Sequence, residues 1–457
     1  MFRRLVALPL VMACTAGETD VAPPQYAFYY PTALKVSPSE KHMFVMSANS
    51  DLRYSSGTVA TLDLDAVDAL TQQWLGSGFA TPPAGCTQLV ARPQIVDCPT
   101  MNGDSPTTVM VPNATVKIGN FGVDLGIQRL YRGGVPSGGL RIFATVRGDP
   151  SVTWIDFAEP TRHMDCGPED TYPRCSPEHR LTRVRSDINL PSIPPEPFYL
   201  FVDGDSENVF ATHLTSGAVT LADAPREEGT TPVVHDVNQN FWAPVGSLGL
   251  VGAVGIAART PGDPSGLVYV SSRQEARVTA LRVAAGPLNP NGRPWKALTE
   301  VLWFFLDGIG VSGVAADSRA LTFSADGTRM YLVSRTPPAV RVYDTSLDDT
   351  GAPRNDLIGV ADVCPQPATL ALADFGRGPR LIVPCFSTGQ VWVIDAVTLA
   401  VESMEDVGKG PTAVSVSPSR KRIYVANYAD DTIAVLDATP GARTEARMVL
   451  LIGTPRP

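Results

Sequence analysis

With 457 residues, a net charge of −9, 18% charged and 7% aromatic side chains, the chain has the mix of a folded protein and the length of several ordinary domains. Its acidity, without any basic patch, excludes a protein that tracks nucleic-acid phosphates, so no nucleic acid is expected among its partners. Forty-one prolines and 39 glycines, with no sustained helical stripe, point to a loop-rich all-β chain. Only Asp65–Leu70 reads as a turn of helix.

In chain order the first feature is Met1–Cys14, MFRRLVALPLVMAC: a basic pair, a short apolar run and a small residue before a cysteine, the layout of a bacterial secretory signal. Val11-Met12-Ala13-Cys14 resembles a lipobox. That resemblance implies acylation of Cys14, which would become the mature N-terminus and tie the protein to the membrane. Thr15 after the cysteine implies the outer rather than the inner membrane. No other apolar run approaches the roughly 20 residues needed to cross a bilayer. Residues 15–30 are read as a tether that includes a candidate closing strand, Tyr26–Tyr30.

From Thr32 onward a three-strand pattern recurs. Thr32–Asp63 holds an alternating run, a Ser37-Pro38-Ser39 turn, a second run and a third that closes on Asp63. A second copy ends in the two strands Gly139–Val146 and Val152–Asp156, with its first strand within Val116–Leu130. Others span Phe198–Asp223, Gly255–Val283, Ala320–Asp344 and Pro367–Asp395. The clearest is Gly410–Asp437, GPTAVSVSPSRKRIYVANYADDTIAVLD. A lone antiparallel meander leaves one face unburied and needs neighbours of its own kind. Seven copies predict one closed β-propeller over residues 31–457, with seven four-stranded blades and long disulfide-bridged insertions.

Val36-Ser37-Pro38, Ser324-Ala325-Asp326-Gly327, Tyr424-Val425-Ala426-Asn427 and Val393-Ile394-Asp395 resemble the YVTN family of β-propeller repeats. The likeness is strong in the first and the last three copies and faint in the second to fourth.

Cys14 aside, six cysteines form three near-neighbour couples: Cys86 with Cys98, Cys166 with Cys175, and Cys364 with Cys385. An even number closing short loops suits an oxidising compartment, in agreement with an exported chain. Cys364 precedes a first strand and Cys385 ends the antiparallel second strand, so those two ends meet in a meander.

Five long segments separate the copies: Gln72–Pro112, Glu159–Pro197, Ala224–Leu248, Ala284–Ser318 and Ser346–Val363. Each is expected to hold a fourth, outermost strand and a loop leading inward to the next blade. Leu298–Leu306, Val401–Val407 and Met448–Ile452 are candidate fourth strands. The lead-in loops gather on one face of a propeller, and that face is the expected binding surface, with Gln72–Pro112 as a candidate binding loop. Closure is expected either from a complete last blade or from Tyr26–Tyr30 pairing onto its edge, since an open edge invites aggregation.

Chemistry is sparse. No nucleophile elbow, zinc-protease helix or phosphate loop occurs. The histidines at 42, 163, 179, 213 and 235 do not pair at metal-ligand spacing, and His163 and His179 are read as surface residues. Asp203-Gly204-Asp205-Ser206-Glu207 offers alternate oxygens, as a cation loop does, but stands where other copies have Ser-Pro-Ser and is read as a turn. The aspartates closing third strands (Asp63, Asp156, Asp223, Asp344, Asp395, Asp437) recur once per copy, which marks a structural position. Trp303-Phe304-Phe305 is expected to be covered by the adjacent insert. The six tryptophans occupy no common blade position, unlike quinoprotein blades, and no Cys-x-x-Cys-His haem motif occurs. The expectation is a monomeric, lipid-anchored binding scaffold for an envelope protein, glycan or small ligand, with no cofactor, no metal and no identified catalytic residue. The alternative is a propeller enzyme, lactonase-like or quinoprotein-like, with a site at the channel mouth.

Overall fold

Alternating apolar residues in short runs, broken by tight turns, do form blades. The computed structural model describes residues 21–101, 108–167, 172–182, 192–238, 252–289, 292–307 and 317–455; the stretch Met1–Cys14, read from sequence as a secretory signal, lies outside them. Seven antiparallel sheets follow one another. Blade 1 comprises Pro31–Val36, His42–Ser47, Gly57–Asp63 and Met110–Ile118. Blade 2 comprises Gly122–Arg132, Val135–Val146, Ser151–Ala158 and His163–Asp165, with Arg180–Leu181 pairing on the same third strand. Blade 3 comprises Pro197–Asp203, Asn208–His213, Val219–Asp223 and Val233–Asn238. Blade 4 comprises Ala253–Ala258, Val268–Ser272, Arg277–Leu288 and Pro294–Phe305. Blade 5 comprises Ser318–Phe323, Arg329–Arg335, Pro338–Asp344 and Asp356–Asp362. Blade 6 comprises Ala371–Asp374, Pro379–Cys385, Gln390–Asp395 and Val401–Asp406. Blade 7 comprises Pro411–Ser417, Arg422–Asn427, Thr432–Asp437 and Arg447–Gly453. The expected fourth strands at 298–306, 401–407 and 448–452 are all present.

Each blade hides its flanks only against its neighbours. Seven apolar clusters occupy the seven seams, the last joining blade 7 to blade 1. A fully buried Leu, Ile, Val or Phe contributes about 1.5–3 kcal/mol, so the seams carry the stability. The repeated tyrosines Tyr331 and Tyr424 are buried within them. Innermost strands lie against one another around the ring, and Pro411–Ser417 meets Pro31–Val36. Small residues permit this: a Cβ on Gly255 of blade 4 would stand 3.0 Å from the Ala320 Cα of blade 5.

The recurrent aspartates hold turns. Asp344 accepts from Ser346 N–H (2.9 Å), Asp395 from Val397 N–H (2.9 Å) and Asp437 from Thr439 N–H (3.1 Å). Elsewhere the same position pairs with cations: Asp156 with the fully buried Arg141, and Asp223 with Arg293 and Lys296. Asp63 caps a helix, accepting from Asp65 N–H (2.9 Å) and Ala66 N–H (3.2 Å).

That helix, Leu64–Gly76, is longer than the single turn expected at Asp65–Leu70. It buries Leu64, Val67, Leu70, Thr71 and Trp74 along one side. It begins an insertion between the third and fourth strands of blade 1, so Gln72–Pro112 precedes the fourth strand and does not lead into blade 2. Trp74 Nε1 donates to Gln94 O (2.9 Å), and Val96–Cys98 then pairs in parallel with Leu450–Ile452 of blade 7. Thr87–Gln88 folds back on that strand, making the last sheet six-stranded, and Arg92 reaches Glu405 of blade 6. Blade 7 is complete from its own chain, as one expectation held. The strand that covers its edge comes from this insertion and not from Tyr26–Tyr30, which forms no strand. Phe28 packs into the closing seam, and Tyr30 N–H donates to Asp431.

Candidate functional site

Because the innermost strands all run the same way, their first halves line one end of the central channel, the end reached by the lead-in loops. There a cavity of about 200 Å³ is bounded by blades 1, 2, 3, 5, 6 and 7, with Lys35, Asp124, Tyr199, Arg319 and Arg335 as its polar wall.

Arg319 sits on the innermost strand of blade 5 and is only 8% exposed. Its Nη2 donates to Asp317 Oδ2 (2.8 Å), but its Nε is buried with no hydrogen-bond partner among the described residues. Arg335 ends the second strand of the same blade and donates from Nε to Pro367 O (2.9 Å). Burial, and then the neighbouring Arg319 charge, hold the Arg335 guanidinium below its ordinary pKa. Arg273, just after the second strand of blade 4, has its Nε 3.9 Å from Asp317 Oδ1.

Opposite, Tyr199 of blade 3 reaches across to blade 6, donating its hydroxyl to Ala368 O (3.2 Å); burial pushes its pKa up to about 12. Asp124 of blade 2 accepts from Leu125 N–H (2.8 Å) and Leu200 N–H (3.0 Å). Burial raises its carboxyl above the usual range, and Lys35 with those two N–H groups offsets only part of the shift. The end of the channel is thus a cationic spot in an acidic protein, a setting that focuses an anion inward.

Two other hollows lie at the seam of blades 6 and 7. One, of about 440 Å³, has an apolar floor including Phe375 and Ile423, and its arginines are paired: Arg377 with Glu445 (3.2 Å), Arg380 with Glu402 (2.8 Å), Arg447 with Glu405 (3.0 Å). The other, of about 550 Å³, is an open groove where Arg92 and Lys409 also have carboxylate partners. A buried cation with a spare donor distinguishes the channel from both.

All three expected cysteine couples are bonded: Cys86–Cys98, Cys166–Cys175 and Cys364–Cys385. His163 is exposed, but His179 is not a surface residue. Its ring stacks on Trp154 (centroids 3.7 Å apart) and its Nδ1 lies 3.0 Å from Trp154 O, because the segment Pro177–His179 leads into Arg180–Leu181, which pairs with the third strand of blade 2. Asp203–Glu207 is a turn, in which Asp203 accepts from Ser206 N–H (3.4 Å) and from Gly262 N–H of blade 4 (2.9 Å). Trp303 is 46% exposed, so it is not covered as expected; Phe304, on the opposite face of the strand, packs on Tyr269 and Tyr343. Among the described residues no three His, Cys, Asp or Glu side chains converge as metal ligands would.

Sequence reasoning missed Asp124, Tyr199, Arg319 and Arg335. The available signal was a charge inside an otherwise apolar first strand, as in Gly122-Val123-Asp124-Leu125 and Ser318-Arg319-Ala320-Leu321.

Solved structures resemble this one along nearly its whole length. A proposed 6-phosphogluconolactonase from Bacteroides uniformis matches with a TM-score of 0.50 at 12% identity, over 93% of this chain and 96% of its own. The β-propeller domain of Cps50 (Swd1) from Myceliophteria thermophila matches at 0.51 and 9% identity, over 90% and 97%. The likeness is one of fold. A periplasmic gluconolactonase from Pseudomonas aeruginosa matches at 0.44 and 14%, over 93% and 87%. No family model and no curated protein sequence matches the chain.

Proposed function

We propose that the chain is an exported, YVTN-type propeller, tethered to the outer membrane through a lipid on Cys14, that binds a small anionic ligand at the lead-in end of its channel. The carrying observation is Arg319: a nine-tenths-buried guanidinium with a spare Nε donor, lining the same cavity as Arg335 and Lys35. A buried cation without full compensation is costly, and a carboxylate or phosphate held by charge-assisted hydrogen bonds supplies the compensation. The cavity suits a group of a few heavy atoms and not a protein loop. The three disulfides support an oxidising compartment, and with it the address inferred from Met1–Cys14.

Calorimetric titration of the purified chain with inorganic phosphate, gluconate and neutral glucose tests the binding. Uptake of phosphate or gluconate that disappears in Arg319→Leu supports it; equal or no uptake of all three rejects it. Mass spectrometry of the mature protein tests the anchor, and finding residues 1–13 still attached rejects it.

A second reading, hydrolysis of a sugar lactone, is favoured by Asp124, a carboxyl of raised pKa facing the same cavity. In that reading the ionised Asp124 takes a proton from water as the water oxygen bonds to the lactone carbonyl carbon, and returns it to the ring oxygen as the acyl C–O bond breaks, while the arginines hold the carboxylate product. Gluconolactone hydrolysis faster than in buffer, and lost in Asp124→Asn, distinguishes it from binding alone.

A further inference from the structure

The wall of the cavity formed by blade 6 is not a strand. It is the connection from Cys364 to Leu370, which reaches the innermost strand after crossing the end of the blade. Pro365 and Pro367 have no N–H to give, so this connection pairs with the second strand at one isolated bridge and not along a continuous ladder. It is held by Ala368 N–H donating to Pro384 O (2.9 Å), Phe386 N–H donating to Gln366 O (3.1 Å), Ser387 Oγ donating to Pro365 O (3.0 Å), and the Cys364–Cys385 bond. Cys385 is also the residue that Pro367 faces in an isolated bridge. The two carbonyls next in line, Pro367 O and Ala368 O, are those to which Arg335 and Tyr199 donate.

We infer that the Cys364–Cys385 disulfide is a redox-sensitive clamp on the anion site: it holds the Pro367 and Ala368 carbonyls where they orient Arg335 and Tyr199, and its reduction loosens the site without opening the propeller. This rests on the anion-binding reading above. A dithiol such as dithiothreitol supplies the two electrons and two protons that turn the bond into two thiols, and itself becomes a disulfide. The rest of blade 6 keeps its ladder and its seams with blades 5 and 7, so the effect is confined to the connection. The other two bonds do not touch the cavity wall: Cys86–Cys98 ties the insertion at blade 7, and Cys166–Cys175 packs into the blade 1–blade 2 seam.

The test compares the full chain with Cys364→Ser/Cys385→Ser and, as a control, Cys166→Ser/Cys175→Ser, titrating each with inorganic phosphate and gluconate. The clamp predicts affinity roughly tenfold weaker in the first variant, through lost preorganisation, and unchanged in the second. Equal affinity in all three, or equal loss in both variants, overturns it. Hydrogen exchange on the unmodified protein, with and without dithiothreitol, is the second readout and also serves should the first variant not fold. Faster exchange at Phe386 and Ala368, with the amides of Arg422–Asn427 unchanged, supports the clamp; no change at Phe386 and Ala368, or a change at both places, overturns it. If the unmodified protein binds neither anion, the anion reading fails while the exchange result still decides the clamp.

Discussion

The seam between blades 7 and 1 and the lead-in end of the channel are built in opposite ways. At the seam, the two ends of the ring meet under a dense apolar cluster that includes Trp74, Phe28 and Val96, and an added strand seals the outer edge. At the channel end, charged and hydroxyl groups face a cavity, and a buried guanidinium keeps a donor unspent. The difference teaches where this protein is made to persist and where it can accept something. Packing that excludes water gives permanence, whereas polar groups left short of partners give up stability for recognition.

The contrast can be broken most forcefully at the seam. Trp74→Ala removes a fully buried indole and its bond to Gln94, and is expected to lower unfolding stability by roughly 3–5 kcal/mol in denaturant titration, with little change in anion affinity. Anion affinity falling in step with stability would erase the distinction between the two regions.

A buried structural group comes next. His213 is fully buried, its Nδ1 3.2 Å from Pro195 O and its Nε2 2.7 Å from Thr220 Oγ1, and burial pushes its pKa down to about 4. The unfolded chain takes up this proton near pH 6.5 and the folded chain only near 4. Its contribution is therefore fully present above pH 6.5 and is lost as pH falls from there towards 4, by up to roughly 3 kcal/mol. His213→Asn is expected to remove that part of the slope when stability is measured across the interval.

The site itself should behave inversely. Arg319→Leu is expected to cost about 1.5–3 kcal/mol of phosphate or gluconate binding, read by calorimetry, the range of a hydrogen bond to a charged group. Its unfolding midpoint should change little, because the unmet donor leaves with the cation while the partly exposed Asp317 carboxylate loses one partner and keeps Arg273 nearby. A large loss of stability would return Arg319 to the structural class. Smallest of all, Tyr199→Phe deletes one hydrogen bond across the ring, to Ala368, and should lower stability by about 1 kcal/mol in the same titration.

Much of the blade architecture was legible because its rules are local. A strand such as Arg422–Asn427 buries every side chain between two neighbours, so it must be a β-branched and aromatic run, and the Asp that closes the next strand must cap a turn. The insertion of blade 1 was less legible. The Leu64–Gly76 stripe is short, and nothing local in Val96-Asp97-Cys98 says that it pairs with Leu450–Ile452, more than three hundred residues away. His179 and Trp303 were misjudged for a similar reason: one is covered, and the other left open, by how distant segments fold over a blade.

By itself, then, the amino-acid order determined a ring of antiparallel blades and pointed to the three short-range cysteine couples that the structure bonds. Strand period, turn chemistry and cysteine spacing are properties of neighbours in the chain. Only the tertiary structure decided which strand guards the last edge and which charges meet in the channel. Arg319, Arg335, Asp124 and Tyr199 come from three blades, and closure of the ring alone brings them to one cavity, away from the water that would otherwise satisfy them.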